Sequence, residues 1–268
     1  MENVRLVASD LDRTLLLEGG QIPPGLSDYV RRLNEEGIVF VPASGRPLAT
    51  LKAMFNWPEA DLAFISDNGA VVAHGGEILY HSVLSPEHYL AMVESTLRDT
   101  DGAPVLCGLE RTYIHESFRA DAESFEVYFK NIVYIDDFTA IDEDAVKYSV
   151  YFKREDAREA MEECFQPSFG GELAVTLGGP PWVDIMNRGI SKGHGIEILG
   201  EKLGIDPSQM MAFGDTFNDV EMLQAVGHSY AVANAEQEIK DLANHLTASN
   251  EEFGVYRVLD DLLAKRGA

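Results

Sequence analysis

An apolar run from Val4 to Ala8 reads as a buried strand. It stops at Ser9-Asp10-Leu11-Asp12-Arg13-Thr14, where two carboxylates stand one residue apart. Leu15 to Leu17 is apolar again, and Glu18-Gly19-Gly20 turns the chain. Pro23-Pro24 opens a helix that ends near Gly37, with Leu26, Tyr29, Val30 and Leu33 on one face. Ile38 to Val41 predicts a second strand, ended by Pro42-Ala43-Ser44-Gly45-Arg46-Pro47, and a helix follows over Leu48 to Phe55. Leu62 to Ile65 predicts a third strand, followed by Ser66-Asp67-Asn68-Gly69. This β-α-β-α-β rhythm predicts a parallel sheet covered by helices. Ligands of such sheets bind beyond the carboxyl ends of the strands. Asp10, Asp12, Ser44 and Asn68 all fall at such ends.

The middle of the chain has another pattern. Val71 to Ala73 and Ile78 to His81, separated by His74-Gly75-Gly76, predict a hairpin. From Ser85 the expected order is helix (Glu87 to Leu97), two strands (Val105 to Cys107, Thr112 to His115), helix (Ala120 to Lys130) and strand (Val146 to Phe152). A helix (Glu155 to Phe165) and two strands (Leu173 to Leu177, Trp182 to Met186) complete it. Strands and helices mixed this way predict an α+β layer with an antiparallel sheet, inserted over residues 82–187 into a core made of 1–81 and 188–268. The acidic stretch Asp136 to Asp144 is expected to be a solvated connection. The βα rhythm then resumes. Ser191 is placed to cap a helix carrying Lys192 in its first turn and Ile196, Leu199 and Leu203 on its apolar face. Met210 to Phe213 predicts a strand ended by Gly214-Asp215-Thr216-Phe217-Asn218-Asp219, and a helix follows to Ala225. Ser229 to Val232 predicts a strand, with helices over Glu236 to Leu242 and Phe253 to Ala264.

Composition narrows the partners. The 268 residues are 46% hydrophobic and 25% charged, enough to bury a sizeable core. A formal net charge of -24 repels nucleic acid and anionic membrane surfaces, which excludes both as main partners. The same field repels a phosphorylated substrate at long range, so a local basic or metal-containing site has to overcome it. Cys107 and Cys164 stand far apart and form no metal-like pair; two buried thiols in a reducing cytosol are expected. The opening Met1-Glu2-Asn3-Val4-Arg5 has no charged segment followed by a long apolar one, and no apolar run approaches a bilayer span. The expected location is cytoplasmic.

Asp10 and Asp12 at i and i+2 of an extended chain point to the same side and raise each other's pKa unless a cation or donor lies between them. That leaves a metal, a proton shared with a substrate, or a solvated turn. Ser44 has a plain alternative as a turn residue, Asp215 as a helix cap, and Asn68-Gly69 as a turn. Lys192 has a plain alternative as a solvated lysine, although the helix dipole disfavours a cation there. Together these residues bring four carboxylates, a hydroxyl and an amine to one edge of one predicted sheet. Carboxylates are hard ligands suited to Mg²⁺, and no His/Cys cluster competes for zinc. A second carboxylate could then attack phosphorus, and Lys192, Ser44 and backbone N–H groups could neutralise the phosphoryl oxygens.

These residues resemble the haloacid dehalogenase (HAD) superfamily. Asp10-Leu11-Asp12-Arg13-Thr14-Leu15-Leu16 looks like its first motif and Ala43-Ser44-Gly45-Arg46-Pro47 its second. Ser191-Lys192-Gly193 looks like the third, and Gly214-Asp215-Thr216-Phe217-Asn218-Asp219-Val220-Glu221-Met222-Leu223 the fourth. The position of the insert matches the C2-type cap of the Cof-like subgroup. The resemblance implies an α/β fold, a Rossmann-like parallel sheet core with helices on both faces plus an inserted α+β cap domain. It also implies a Mg²⁺-dependent phosphatase acting on a small phosphorylated metabolite, a sugar phosphate or similar, and working as a monomer or weak homo-oligomer. On this resemblance Asp10 is the nucleophile and a metal ligand. Asp12 is the general acid/base, its carbonyl also touching the metal. Ser44 and Gly45 bind the phosphoryl group, Lys192 neutralises it, and Asn218 reaches the phosphate. Asp215 is a metal ligand, and Asp219 acts through a metal-bound water or by holding Lys192. Arg46 and Asn68 are candidates for the leaving group. In the cap, His115, Arg119, Trp182, Asp184 and Asn187 lie near strand ends and have structural roles as their first reading. Two departures stand out: Arg13 where many members have Gly, and Ser44 where Thr is commoner. A phosphomutase on the same scaffold, or a binding module that has lost turnover, are the alternatives.

Overall fold

A computed structural model describes residues 3–266. It contains two compact units. The first comprises the chain up to Ser44, Phe55–Tyr80 and the chain from Ser191 onward; the second comprises Gly45–Met54 and His81–Ile190.

The first unit is built on a sheet of β1 (Leu6–Asp10), β2 (Val39–Ala43), β3 (Ala63–Ser66), β4 (Val71–His74) and β5 (Glu77–His81), with three strands returning from the far end of the chain. Those are β12 (Met210–Gly214), β13 (His228–Ala231) and β14 (His245–Leu246). The order is β14-β13-β12-β1-β2-β3-β4-β5. From β14 to β3 every neighbouring pair is parallel, and β4 runs antiparallel to β3. Every residue of β1 is buried, because helices cover both faces of the sheet. Leu6 and Ala8 join Val41, Ala43, Ile65 and Ala212 under Ile196 and Leu199 of helix Lys192–Leu203 and Met222 and Leu223 of helix Val220–Ala225. Helices Leu26–Glu35 and Gly254–Arg266 pack on each other, with Tyr29 against Tyr256. The chain leaves β1 toward β2 on one side and returns through β12 on the other. The carboxyl ends of β1 and β12 are therefore the switch point of the sheet, the usual ligand crevice of open α/β folds. Among the described residues no helix is long and apolar enough to cross a membrane.

The second unit is a six-stranded sheet in the order β10-β11-β9-β6-β7-β8, with β6 (Ala103–Gly108), β7 (Thr112–His115), β8 (Ile132–Ile135), β9 (Ala145–Tyr151), β10 (Leu173–Gly179) and β11 (Trp182–Asn187). It is antiparallel except for β7 and β8, which run parallel. Helix Pro86–Asp99, capped by the Ser85 side chain, packs Tyr89 and Met92 onto a core with Leu106, Tyr148, Val150 and Phe165. Residues 45–54, expected with the core, are tied into this unit by Arg46 Nη1 to the Val127 carbonyl (3.0 Å) and Thr50 Oγ1 to the Tyr128 carbonyl (3.0 Å). The expected helix over Ala120 to Lys130 is shorter, a 3₁₀ stretch Glu116–Asp121 followed by Ala122–Glu126. The next one starts at Ala157 and continues unbroken through Ala157–Ala160, a π-helical turn Met161–Phe165 and Gln166–Phe169, which holds Pro167, with right-handed helical backbone at each junction. The acidic stretch is not wholly solvated: Phe138 is buried in the core, and Asp137 caps its turn by accepting from the Thr139 N–H. Cys107 is buried and Cys164 is half-buried.

Candidate active site

Alternation along β1 aims Asp10 to the same face as Leu6 and Ala8, the face covered by helix Lys192–Leu203. Lys192 is the first residue of that helix, whose start is fixed by the Ser191 side chain accepting from the His194 N–H. The two side chains meet: Lys192 Nζ donates to Asp10 Oδ1 at 2.5 Å and to Asp219 Oδ1 at 2.7 Å, and Lys192 is fully buried. Asp219 Oδ2 accepts from the Asp215 and Thr216 N–H groups, which closes the turn after β12 and places Asp215 beside β1. Thr14 Oγ1 donates to Asp215 Oδ1 at 2.9 Å. Carboxylate oxygens of Asp10, Asp215 and Asp219 lie within 4.8 Å of one another.

Three buried carboxylates this close repel one another. Burial raises the Asp10 pKa well above its ordinary value; the Lys192 ammonium opposes that shift, and Asp219 and Asp215 add to it. Burial, then Asp219, pushes Asp215 up to about 6, against the Thr14 hydrogen bond and the Arg13 and Lys192 charges. Burial by itself would discharge Lys192, but Asp10 and Asp219 outweigh it and hold the ammonium protonated.

The rest of the predicted set falls into four groups. Ser44 is buried just past β2; its N–H donates to the Ile65 carbonyl and its carbonyl accepts from the Asn68 N–H. Asn68 in turn accepts at Oδ1 from Asn218 Nδ2 at 3.2 Å, so hydrogen bonds join Ser44 of the second motif to the fourth motif through the turn after β3. Asp12 is exposed in the turn after β1, which the Leu16 N–H closes on the Leu11 carbonyl, and its side chain is outside the three-carboxylate group. Gly45 and Arg46 belong to the second unit. There the Gly45 carbonyl accepts from the buried Lys147 Nζ at 2.5 Å, and the Arg46 guanidinium lies over the Tyr128 ring. The cap candidates have structural partners: His115 Nδ1 with Ser117, Arg119 over Tyr134, Trp182 against Tyr151, Asp184 with Ser149, and Asn187 with Ser82.

Two features, one in each unit, were missing from the sequence reading. Thr14 lies inside the first motif, yet only the fold shows its hydroxyl on Asp215. Lys147 alternates with Val146 and Tyr148 and shares a face with Ser149, a polar stripe visible in the strand pattern, and it is buried 3.9 Å from Asp184.

The donor set fits a hard divalent cation. Asp10 Oδ2 and Asp215 Oδ2 are buried without a hydrogen bond, whereas both Asp219 oxygens are taken by Lys192 and backbone N–H groups. Buried carboxylate oxygens without donors are what Mg²⁺ ligation requires.

Known proteins match this arrangement over nearly its whole length. The sequence profile of haloacid dehalogenase-like hydrolases matches residues 7–259. A 5-amino-6-(5-phospho-D-ribitylamino)uracil phosphatase of Escherichia coli, YbjI, is 27% identical, covering 97% of each chain. YitU of Bacillus subtilis, which carries the same enzyme name, is 26% identical over 96% of each chain. The crystal structure of SMU.1108c from Streptococcus mutans superposes with a TM-score of 0.88 at 27% identity, over 97% of this chain and 99% of that one. With the first, third and fourth motifs meeting at one switch point and a profile match over residues 7–259, the chain belongs to the haloacid dehalogenase-like hydrolase family, as a phosphatase.

Proposed function

We propose that the protein is a Mg²⁺-dependent phosphomonoesterase that cleaves its substrate through an aspartyl phosphate on Asp10. The observation that carries this reading is Lys192 held between Asp10 and Asp219 beside the donor-free Asp10 Oδ2 and Asp215 Oδ2. Asp10 and Asp215 would hold the metal, with the Asp12 carbonyl as the resemblance implies. Bound there, Mg²⁺ supplies positive charge to the transferring phosphoryl oxygens and to the nucleophile.

The chain's own groups do the rest. An Asp10 carboxylate oxygen attacks phosphorus while the bond to the ester oxygen breaks, and Asp12 delivers its proton to that leaving oxygen. Asp12, now a carboxylate, takes a proton from a water whose oxygen attacks the same phosphorus, and the Asp10–phosphorus bond breaks to release phosphate. Lys192 favours the ionised form of Asp10 for the first step and offsets negative charge in both. Ser44 and Asn218 orient the phosphoryl group. The exposure of Asp12 suits a group that must reach both a leaving alcohol and water.

The substrate proposed is a small phosphorylated metabolite of the polyol or sugar class. The first to test is 5-amino-6-(5-phospho-D-ribitylamino)uracil, for which several relatives are named. Phosphate release is measured over this compound, sugar phosphates and nucleotides, with Mg²⁺, with EDTA and with Asp10→Asn. Release that requires both the metal and Asp10 is expected. Well-folded protein inactive toward the whole panel would overturn the reading.

A further inference from the structure

Arg13 stands at the carboxylate cluster and has no part in the proposed reaction. Its backbone is left-handed, at φ 66°, a conformation that side chains other than Gly, Asn and Asp seldom take. The chain holds it there by a two-way clasp: Asn234 Nδ2 donates to the Arg13 carbonyl at 2.7 Å, and Arg13 Nη2 donates to the Asn234 carbonyl at 3.2 Å. Asn234 is itself anchored, its Oδ1 accepting from the Asn250 N–H, while Asn250 Nδ2 donates to the Leu16 carbonyl. The clasp leaves Arg13 Nε 3.8 Å from Asp215 Oδ2, the buried oxygen that no hydrogen bond satisfies. A fixed cation thus faces a carboxylate read above as a metal ligand.

On that reading of the site, we propose that Arg13 weakens Mg²⁺ binding and stabilises the metal-free cluster, so that the clasped guanidinium sets how much Mg²⁺ the enzyme needs. A divalent ion and a guanidinium compete for the same carboxylate charge and repel each other. The guanidinium compensates Asp215 only while the ion is away. Its side chain is 61% exposed, so solvent and salt screen the effect. About a three- to tenfold change in Mg²⁺ affinity is expected, diminishing as salt rises.

The test is calorimetric titration of Mg²⁺ into EDTA-stripped, dialysed protein, comparing wild type with Arg13→Gln, Arg13→Lys and Asp215→Asn at low and high salt. Arg13→Gln should bind Mg²⁺ about three- to tenfold more tightly at low salt, with the gap closing at high salt. Arg13→Lys should stay close to wild type. Without metal, Arg13→Gln should melt below wild type, and saturating Mg²⁺ should remove that difference. Unchanged or weaker binding by Arg13→Gln overturns the inference while leaving the metal site intact. Absent Mg²⁺ binding in wild type, or full binding by Asp215→Asn, overturns the metal reading itself and the inference with it. If Arg13→Gln does not fold without metal, Asn234→Ala releases the clasp and keeps the charge. It should tighten binding in the same direction by a smaller factor, and no tightening overturns the inference.

Discussion

Lys192 balances the charge of the carboxylate cluster. It is buried with two carboxylates within hydrogen-bond distance, at a helix start where a cation is disfavoured. Removing one partner of a buried ionic cluster leaves uncompensated charge, at a cost of about 3–5 kcal/mol. Lys192→Ala should lose that much stability at neutral pH without metal, measured by urea unfolding, and should lose phosphatase activity altogether. Lys192→Arg should not rescue it, because the site has no solvent-exposed margin for a larger planar head group. The carboxylates set a pH dependence of opposite sign to the usual salt-bridged aspartate. Asp10 and Asp215 both have folded-state pKa values above the ordinary 3.8, Asp215 at about 6, chiefly through burial. The folded protein therefore binds more protons than the unfolded chain in this range, and stability falls as pH rises. The Asp215 contribution to the metal-free protein is fully present below about pH 4 and is lost as pH climbs through about 6, and Asp10 adds to the fall in the same direction. Denaturant midpoints in EDTA should show this fall, Asp215→Asn should show less of it, and Mg²⁺ should restore stability above about pH 6 far more than at pH 5. Equal slopes in wild type and Asp215→Asn would contradict this account.

At the scale of elements, the turn after β3 orders the site. Asp67, Asn68 and Gly69 all have positive φ, and a Cβ on Gly69 would collide with the carbonyl of Ser191. That turn therefore touches the residue that caps the Lys192 helix, while Asn68 reaches Asn218. Gly69→Ala should destabilise the fold by about 2–4 kcal/mol and lower kcat by at least tenfold, as steric overpacking displaces the helix start. A variant with wild-type kcat and melting temperature would show that the contact relaxes freely. Much of this was legible in the sequence. Apolar runs ending in polar residues located β1, β2, β3 and β12, and Ser191 followed by an apolar 3.6-residue pattern located the Lys192 helix, because buried parallel strands and capped helices write themselves locally. What was not legible depended on distant partners. β8 is a four-residue apolar run that becomes a strand by pairing with β7, and two-residue β14 exists only through β13. The clasp joins Arg13 to a residue 221 positions away. The motifs indicated Asp10, Asp215 and Asp219 but also Asp12, whose side chain lies outside the group, and only the fold shows that Asp219 spends its oxygens on Lys192 and backbone N–H groups, leaving Asp10 and Asp215 open.

Across the whole molecule, a formal charge of -24 opposes the approach of any phosphorylated substrate. The attraction that offsets it is local: Lys192 is buried and Mg²⁺ would lie among carboxylates, so their field falls away over roughly one Debye length, about 10 Å at 0.1 M salt. Beyond that distance the summed acidic surface dominates. This predicts an unusual salt effect for a phosphatase with an anionic substrate. Raising monovalent salt from about 20 to about 150 mM at saturating Mg²⁺ should screen the repulsion and increase kcat/KM a few-fold. The change should fall in KM, leaving kcat within a factor of about two, because the chemical step takes place inside the screened-off cluster. A neutral salt series at constant Mg²⁺ activity measures it directly. A fall in kcat/KM would mean that a positively charged approach surface governs encounter, and that the net charge of the chain does not describe the field at its active-site mouth.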